Sequence, residues 1–134
     1  MTVERTESLE IRNSNDIVRV RQRTREWSVE VGFSLVDQTK MVTAASELAR
    51  NTLEHGGGGT ARLELLANHG RRGLRLTCQD QGPGISDLEQ ALRDGYTSRG
   101  GLGLGLGGAR RLANEFAIES RPGEGTVVTI TRWK

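Results

Sequence analysis

Gly73-Leu74-Arg75-Leu76-Thr77-Cys78-Gln79-Asp80-Gln81-Gly82-Pro83-Gly84 reads as a strand that runs into a glycine turn. Leu74, Leu76 and Cys78 alternate with Arg75, Thr77 and Gln79, the period of two that puts one strand face on a core. By the same alternation Asp80 falls in the inward phase, so a carboxylate follows the core face. A buried charge without a partner is strongly unfavourable, so Asp80 requires a donor. A backbone amide of the following turn is one such donor, and the amino group of a bound adenine is another. Gly82 and Gly84, on either side of Pro83, let the backbone approach a flat ligand closely. Residues 60–66 carry a second strand pattern, and the polar stretch 67–72 joins the two as an antiparallel hairpin.

Upstream, residues 9–12 form a short strand, and residues 13–16 offer caps for a helix over 16–31 that ends at Gly32. A second helix follows Asp37, whose side chain can cap it, and runs to about His55, where the glycines at 56–59 stop it. Val42, Ala45, Leu48, Ala49 and Leu53 give this helix a buried stripe, and Glu47 and Asn51 stand beside it. Residues four apart on a helix are separated by about 40° and about 6 Å, so the two side chains can reach one ion. On an arbitrary helix such a pair is surface polarity, and the rest of the chain has to decide.

Downstream, residues 87–93 suit a short helix, and the polar run to Arg99 precedes a glycine-leucine ladder at Gly101, Leu102, Gly103, Leu104 and Gly105. Gly103, Gly105 and Gly108 fit the Gly-x-Gly-x-x-Gly spacing, but a dinucleotide fold needs a strand directly before its glycines, and here a polar loop precedes them. A cover for phosphates fits better, with the N-terminus of a helix over 108–116 facing phosphate oxygens; a plain linker is the alternative. Residues 117–120 and 126–132 close the chain as a hairpin with Thr126, Val128 and Ile130 on one face. The expected order is β-α-α-β-β-cover-α-β-β.

Composition removes several classes of function. With 134 residues and 34% hydrophobic content the chain is expected to be one domain over 1–134. No stretch approaches the ~20 apolar residues of a membrane span. The polar start lacks the apolar run of a secretory signal, which points to the cytoplasm. The single cysteine, Cys78, sits in the apolar run as a buried thiol. A net charge of +2 gives no general field for nucleic acid or membrane. Lys40 and Lys134 are the only lysines, so no glycine loop supplies the lysine of a P-loop. His55 and His69 make no paired metal spacing. Arg19, Arg21, Arg23 and Arg25 make the first helix basic, a solvated face or a dock for an acidic protein.

Taken in order, residues 47–51 resemble the N box, residues 80–84 the first glycine box and residues 101–107 the second glycine box of the GHKL ATPases. Residues 94–107 and 110–116 look most similar to the anti-sigma and switch-protein serine kinases of that superfamily, the RsbT-type branch. The resemblance covers nearly the whole chain. It implies an α+β fold, a two-layer α/β sandwich with a mixed, mainly antiparallel sheet covered on one face by helices. It implies ATP and Mg²⁺ as cofactors. Asn51 would hold Mg²⁺, and Glu47 would orient or deprotonate the attacking serine hydroxyl of a protein substrate. Asp80 would read adenine, with Gly82, Gly84 and Ile85 shaping its wall and Thr126 supporting it. Gly101, Leu102, Gly103, Leu104 and Gly105 would close on the phosphates, with Arg99 offsetting their charge. The partners implied are a STAS-domain antagonist as substrate and a PP2C-type phosphatase or other regulator activated by binding; a homodimer is compatible. A nucleotide-dependent module that binds a sigma factor and transfers no phosphate is the alternative.

Overall fold

The computed structural model describes residues 1–85, 92 and 105–134. The alternating stretch quoted first becomes β3 (Arg71–Asp80), the central strand of a five-stranded sheet. Ahead of it come β1 (Thr2–Ile11), α1 (Ser14–Val31), α2 (Leu35–Glu54) and β2 (Gly59–Asn68); after it come α3 (Gly105–Leu112), β4 (Glu115–Arg121) and β5 (Gly125–Trp133). The strand order is β1-β2-β3-β5-β4, and among the described residues all four pairings are antiparallel. The α+β sandwich and the element order agree with the sequence reading.

The inward phase of the strands is apolar and carries the helices. Leu63, Leu65, Leu74, Leu76, Cys78, Val128 and Ile130 pack with Trp27, Met41, Leu48 and Ala49 of α1 and α2 in one core. Trp27 and Met41 are buried almost completely, and a buried aromatic of that size contributes roughly 3–5 kcal/mol against alanine. Thr24 and Ser28 lie on the buried side of α1 without orphaned hydroxyls, because each donates to the carbonyl four residues earlier, at 2.7 Å. The outward phase carries no helix among the described residues and is mostly polar, with buried Leu66 an exception. There Arg75 Nε donates to Glu64 at 2.7 Å, which holds the Glu64 carboxyl below its ordinary range.

Boundaries moved for local reasons. The first strand spans ten residues rather than four, because its polar positions pair with β2 and with α1. Arg5 stacks 4.0 Å over Trp27 and pairs with Glu30, and Glu7 pairs with Arg23. The expected basic face of α1 is thereby divided: Arg23 and Arg19 are committed to acids, while Arg21 and Arg25 are exposed. Helix α1 starts at Ser14 under a capping box of Asn13 and Asp16 and stops at Gly32 in the left-handed region. The cap of α2 is Ser34, not Asp37. Asp37 lies in the first turn and binds Arg132 at 2.7 Å; Arg132 also donates to the Leu112 carbonyl, so it ties α2, α3 and β5 together.

The hairpin turn shrinks from the expected 67–72 to His69 and Gly70, both at positive φ, with Asn68 and Arg71 as the closing pair. The third helix covers 105–112 rather than 108–116, and Phe116 belongs to β4, where it pairs with Ile130. The apolar residues at 112–118 suited either period, and pairing with β5 decided between them. No helix among the described residues is long and apolar enough to cross a membrane.

Candidate functional site

The site is built from the C-terminal end of β3 and the last turns of α2. Asp80 is paired across the sheet with Gly59 on one side and Thr126 on the other, and its carboxylate is 4% exposed. One oxygen accepts from the Gly82 amide at 2.8 Å, the donor of the following turn that burial demanded. The other side of the carboxylate faces Gly56. A Cβ on Gly56 would stand 2.3 Å from Asp80 Cγ and 2.6 Å from Oδ2, so only glycine leaves room for the carboxylate there. Gly84 has φ +78°, and a Cβ would meet the Arg121 carbonyl at 2.2 Å. The turn is held from behind: the Gly123 amide donates to the Pro83 carbonyl at 2.7 Å. The Ile85 amide donates to Ser120 Oγ at 2.7 Å, and Ser120 Oγ lies 2.9 Å from Thr126 Oγ1. Thr126 is buried at 4% exposure, so its hydroxyl is fixed beside Asp80.

Glu47 and Asn51 lie on the last turns of α2, a helix packed between α1 and α3. Glu47 is 4% exposed, and its Oε1 is buried without a hydrogen-bond partner. Such an atom costs about 1–3 kcal/mol, more for a charged group, unless something outside the chain satisfies it. Arg50, between them in sequence, has a buried Nε in the same condition. Asn51 is half-buried. Thr52, one residue on, is buried and back-bonded to the Leu48 carbonyl at 3.0 Å.

The structure therefore brings Asp80, Gly82, Gly84, Ile85 and Thr126 into one connected turn and places Glu47 and Asn51 together on α2. Gly105 is the first residue of α3, whose N-terminal amides are unsatisfied within the helix. Gly101, Leu102, Gly103, Leu104 and Arg99, with most of the helix expected over 87–93, lie outside the described residues. Cys78 is buried, and desolvation pushes its thiol up to about 12, so it is a core group rather than a nucleophile.

Three residues of the site escaped the sequence reading. Gly56 was legible only as part of a helix stop, since the neighbour that requires it, Asp80, is 24 positions away. Ser120 carries no motif; its role follows from the register that sets it opposite Thr126. Arg50 lay inside the quoted N box, but nothing in its spacing distinguished it from a surface arginine. A cavity of about 490 Å³ beside the same strand end is lined by Gln79, Glu119, Arg121, Glu124 and Val127 as well as Asp80, without Glu47 or Asn51.

The donor set fits a magnesium nucleotide. Magnesium takes one or two protein oxygens and completes its shell with phosphate and water, so one asparagine suffices. A buried carboxylate at the sheet end suits an adenine amino group, and the orphaned Glu47 oxygen suits a hydroxyl.

Comparison with known proteins agrees with that fit. The histidine kinase-like ATPase domain matches residues 12–132. The serine/threonine-protein kinase RsbT of Bacillus subtilis (strain 168) is 45% identical over 118 residues, 88% of this chain and 89% of that one. The anti-sigma F factor of Thermoanaerobacter sp. (strain X514) is 30% identical over 99 residues, 68% of this chain and 66% of its own length. Among solved structures, the RsbU and RsbW domains of Rv1364c from Mycobacterium tuberculosis superpose with a TM-score of 0.66 at 26% identity, covering 97% of this chain and 33% of that longer one. The mycobacterial sensor histidine kinase MprB, at TM-score 0.55 and 17% identity over 96% of this chain and 97% of its own, shares the fold. The chain belongs to the histidine kinase-like ATPase domain family, and within it to the protein serine/threonine kinases that use ATP.

Proposed function

We propose that this kinase transfers the γ-phosphate of ATP to a serine or threonine hydroxyl of a STAS-domain antagonist protein, within a partner-switching pathway in the cytoplasm. The observation that carries this reading is the buried, unpartnered carboxylate oxygen of Glu47, one turn before Asn51. A binder of nucleotide needs a magnesium ligand; it has no use for an orphaned carboxylate beside it.

Each residue then has a task. Asp80 accepts from the adenine amino group through the oxygen that Gly82 leaves free, and Gly82, Gly84 and Ile85 form the wall along the base. Thr126, fixed by Ser120, supports the same end. Asn51 would hold Mg²⁺, which would supply positive charge to offset that of the phosphates. Glu47 orients the acceptor hydroxyl and takes its proton as the oxygen attacks the γ-phosphorus and the bond to the β-γ bridging oxygen breaks, releasing ADP; such a base is worth roughly 10²- to 10⁴-fold in rate. Phosphoryl transfer depends on positioning and charge, so no covalent nucleophile on this chain is required. Once released from the antagonist, the kinase binds and activates a PP2C-type phosphatase or another regulator.

The test uses the purified chain, Mg²⁺-ATP and the STAS-domain protein encoded nearest its gene, read by intact mass, with Glu47→Ala alongside. One added phosphoryl group that falls at least 10²-fold in Glu47→Ala supports the reading. ATP binding without transfer to any STAS-domain partner supports the second reading instead, a nucleotide-dependent binding module, which the similarity to an anti-sigma factor favours.

A further inference from the structure

The last turns of α2 hold two buried polar atoms without partners, Glu47 Oε1 and Arg50 Nε. Residues three apart share a helix face, so Arg50 and Glu47 lie on one side of α2, with no ion pair between them among the described contacts. An acid and a permanent cation so placed would ordinarily satisfy each other, yet each keeps a buried atom unpaired. What satisfies both at once must present an anion to the guanidinium and a donor to the carboxylate. A phosphoryl group meeting an acceptor hydroxyl does so: its peripheral oxygens accept from Arg50 while the hydroxyl donates to Glu47.

Three other described cations are engaged elsewhere or distant. Lys134 stands with its Nζ near Gly32, past the end of α1. Lys40 precedes Glu47 by two turns of α2, about 10 Å along the axis. Arg132 also has a buried unpaired Nε, but its two terminal nitrogens are committed to Leu112 and Asp37. We propose that Arg50 contacts the transferred γ-phosphoryl group and supplies the positive charge that a P-loop lysine supplies in other nucleotide sites. The inference rests on the kinase reading of the same pocket.

The test is calorimetric binding of ADP and of the non-hydrolysable imido analogue of ATP, each with Mg²⁺, to the full chain and to Arg50→Ala, Arg50→Gln and Arg50→Lys. The expected result is a loss of about tenfold or more in affinity for the triphosphate analogue in Arg50→Ala, with ADP within about threefold of wild type. Arg50→Lys retains part of the discrimination, because it keeps the charge without the planar fork. If Arg50→Ala fails to fold, Arg50→Gln carries the same comparison, since it keeps most of the stem and removes the charge. Affinities for both nucleotides that stay at the wild-type values overturn the inference. Equal losses for both nucleotides overturn it too, as a structural role. A wild-type chain that binds neither nucleotide overturns this inference together with the kinase reading, whereas normal nucleotide binding with an unmoved ratio overturns this inference alone.

Discussion

The sheet end of the candidate site and its α2 side are built on opposite plans. At the sheet end, Asp80, Gly82, Ile85, Ser120 and Thr126 are joined by hydrogen bonds of 2.7–2.9 Å and finished before any ligand arrives. On α2, Glu47 and Arg50 keep buried polar atoms unpaired. A flat, uncharged base is recognised by shape and by one or two fixed polar groups, so its site gains from rigidity. Groups that serve a reacting phosphoryl must instead bind what is absent from the ground state, so their partners arrive with the reaction. Buried polar atoms without partners also occur at Trp27 Nε1 and Arg132 Nε, but Glu47 and Arg50 put two of them within one turn of α2.

Asp80→Asn should break the sheet end most cleanly. Asparagine keeps an oxygen for the Gly82 amide, so the turn survives while the charged acceptor is lost. ATP affinity should fall about 10- to 100-fold, the worth of a hydrogen bond to a charged group; equal titrations of wild type and variant would remove Asp80 from base recognition. Gly56→Ala probes the same carboxylate from α2. The new methyl would stand 2.3 Å from Asp80 Cγ, and forced shifts of this kind cost roughly 1–3 kcal/mol. Chemical denaturation should show that loss, accompanied by weaker ATP binding; unchanged stability would mean that the two elements separate without cost.

Ser120→Ala should be milder. It leaves the Ile85 amide and Thr126 hydroxyl without their shared partner, at about 1 kcal/mol, and lowers ATP affinity a few-fold without altering discrimination between ATP and ADP. A change in that discrimination would show that the two ends are coupled. The smallest effect lies outside the pocket. The Glu64 carboxyl is held low, first by its hydrogen bond from Arg75, so its contribution is complete above the ordinary glutamate range and is lost as pH falls through the depressed value. Glu64→Gln should remove about 1 kcal/mol at neutral pH and flatten the acid limb of the stability curve below about pH 5, with nucleotide affinity at pH 7 unmoved.

Much of this protein lies in local pattern. The alternation around Leu74, Leu76 and Cys78 determined a strand with one buried face, and carried Asp80 inward with it. The helical spacing that buries Leu48 and Ala49 set Glu47 and Asn51 on one side of α2, and Gly32 marked the end of α1 that the backbone then made. These follow from the chain's own periods and from which residues tolerate positive φ, so they need no distant neighbour. Tertiary structure decided the rest. Whether 113–118 winds or extends was settled by pairing with β5, and Asp37 exchanged a capping role for Arg132, 95 positions away. Gly56 is required by Asp80, Ser120 by Thr126, and Arg50 has a buried Nε without a partner on the same helix as Glu47. Hydrogen bonds, close contacts and burial are relations between residues far apart in sequence. A one-dimensional pattern can name the residues that enter such relations, but the folded chain fixes which are satisfied and which are left for a ligand.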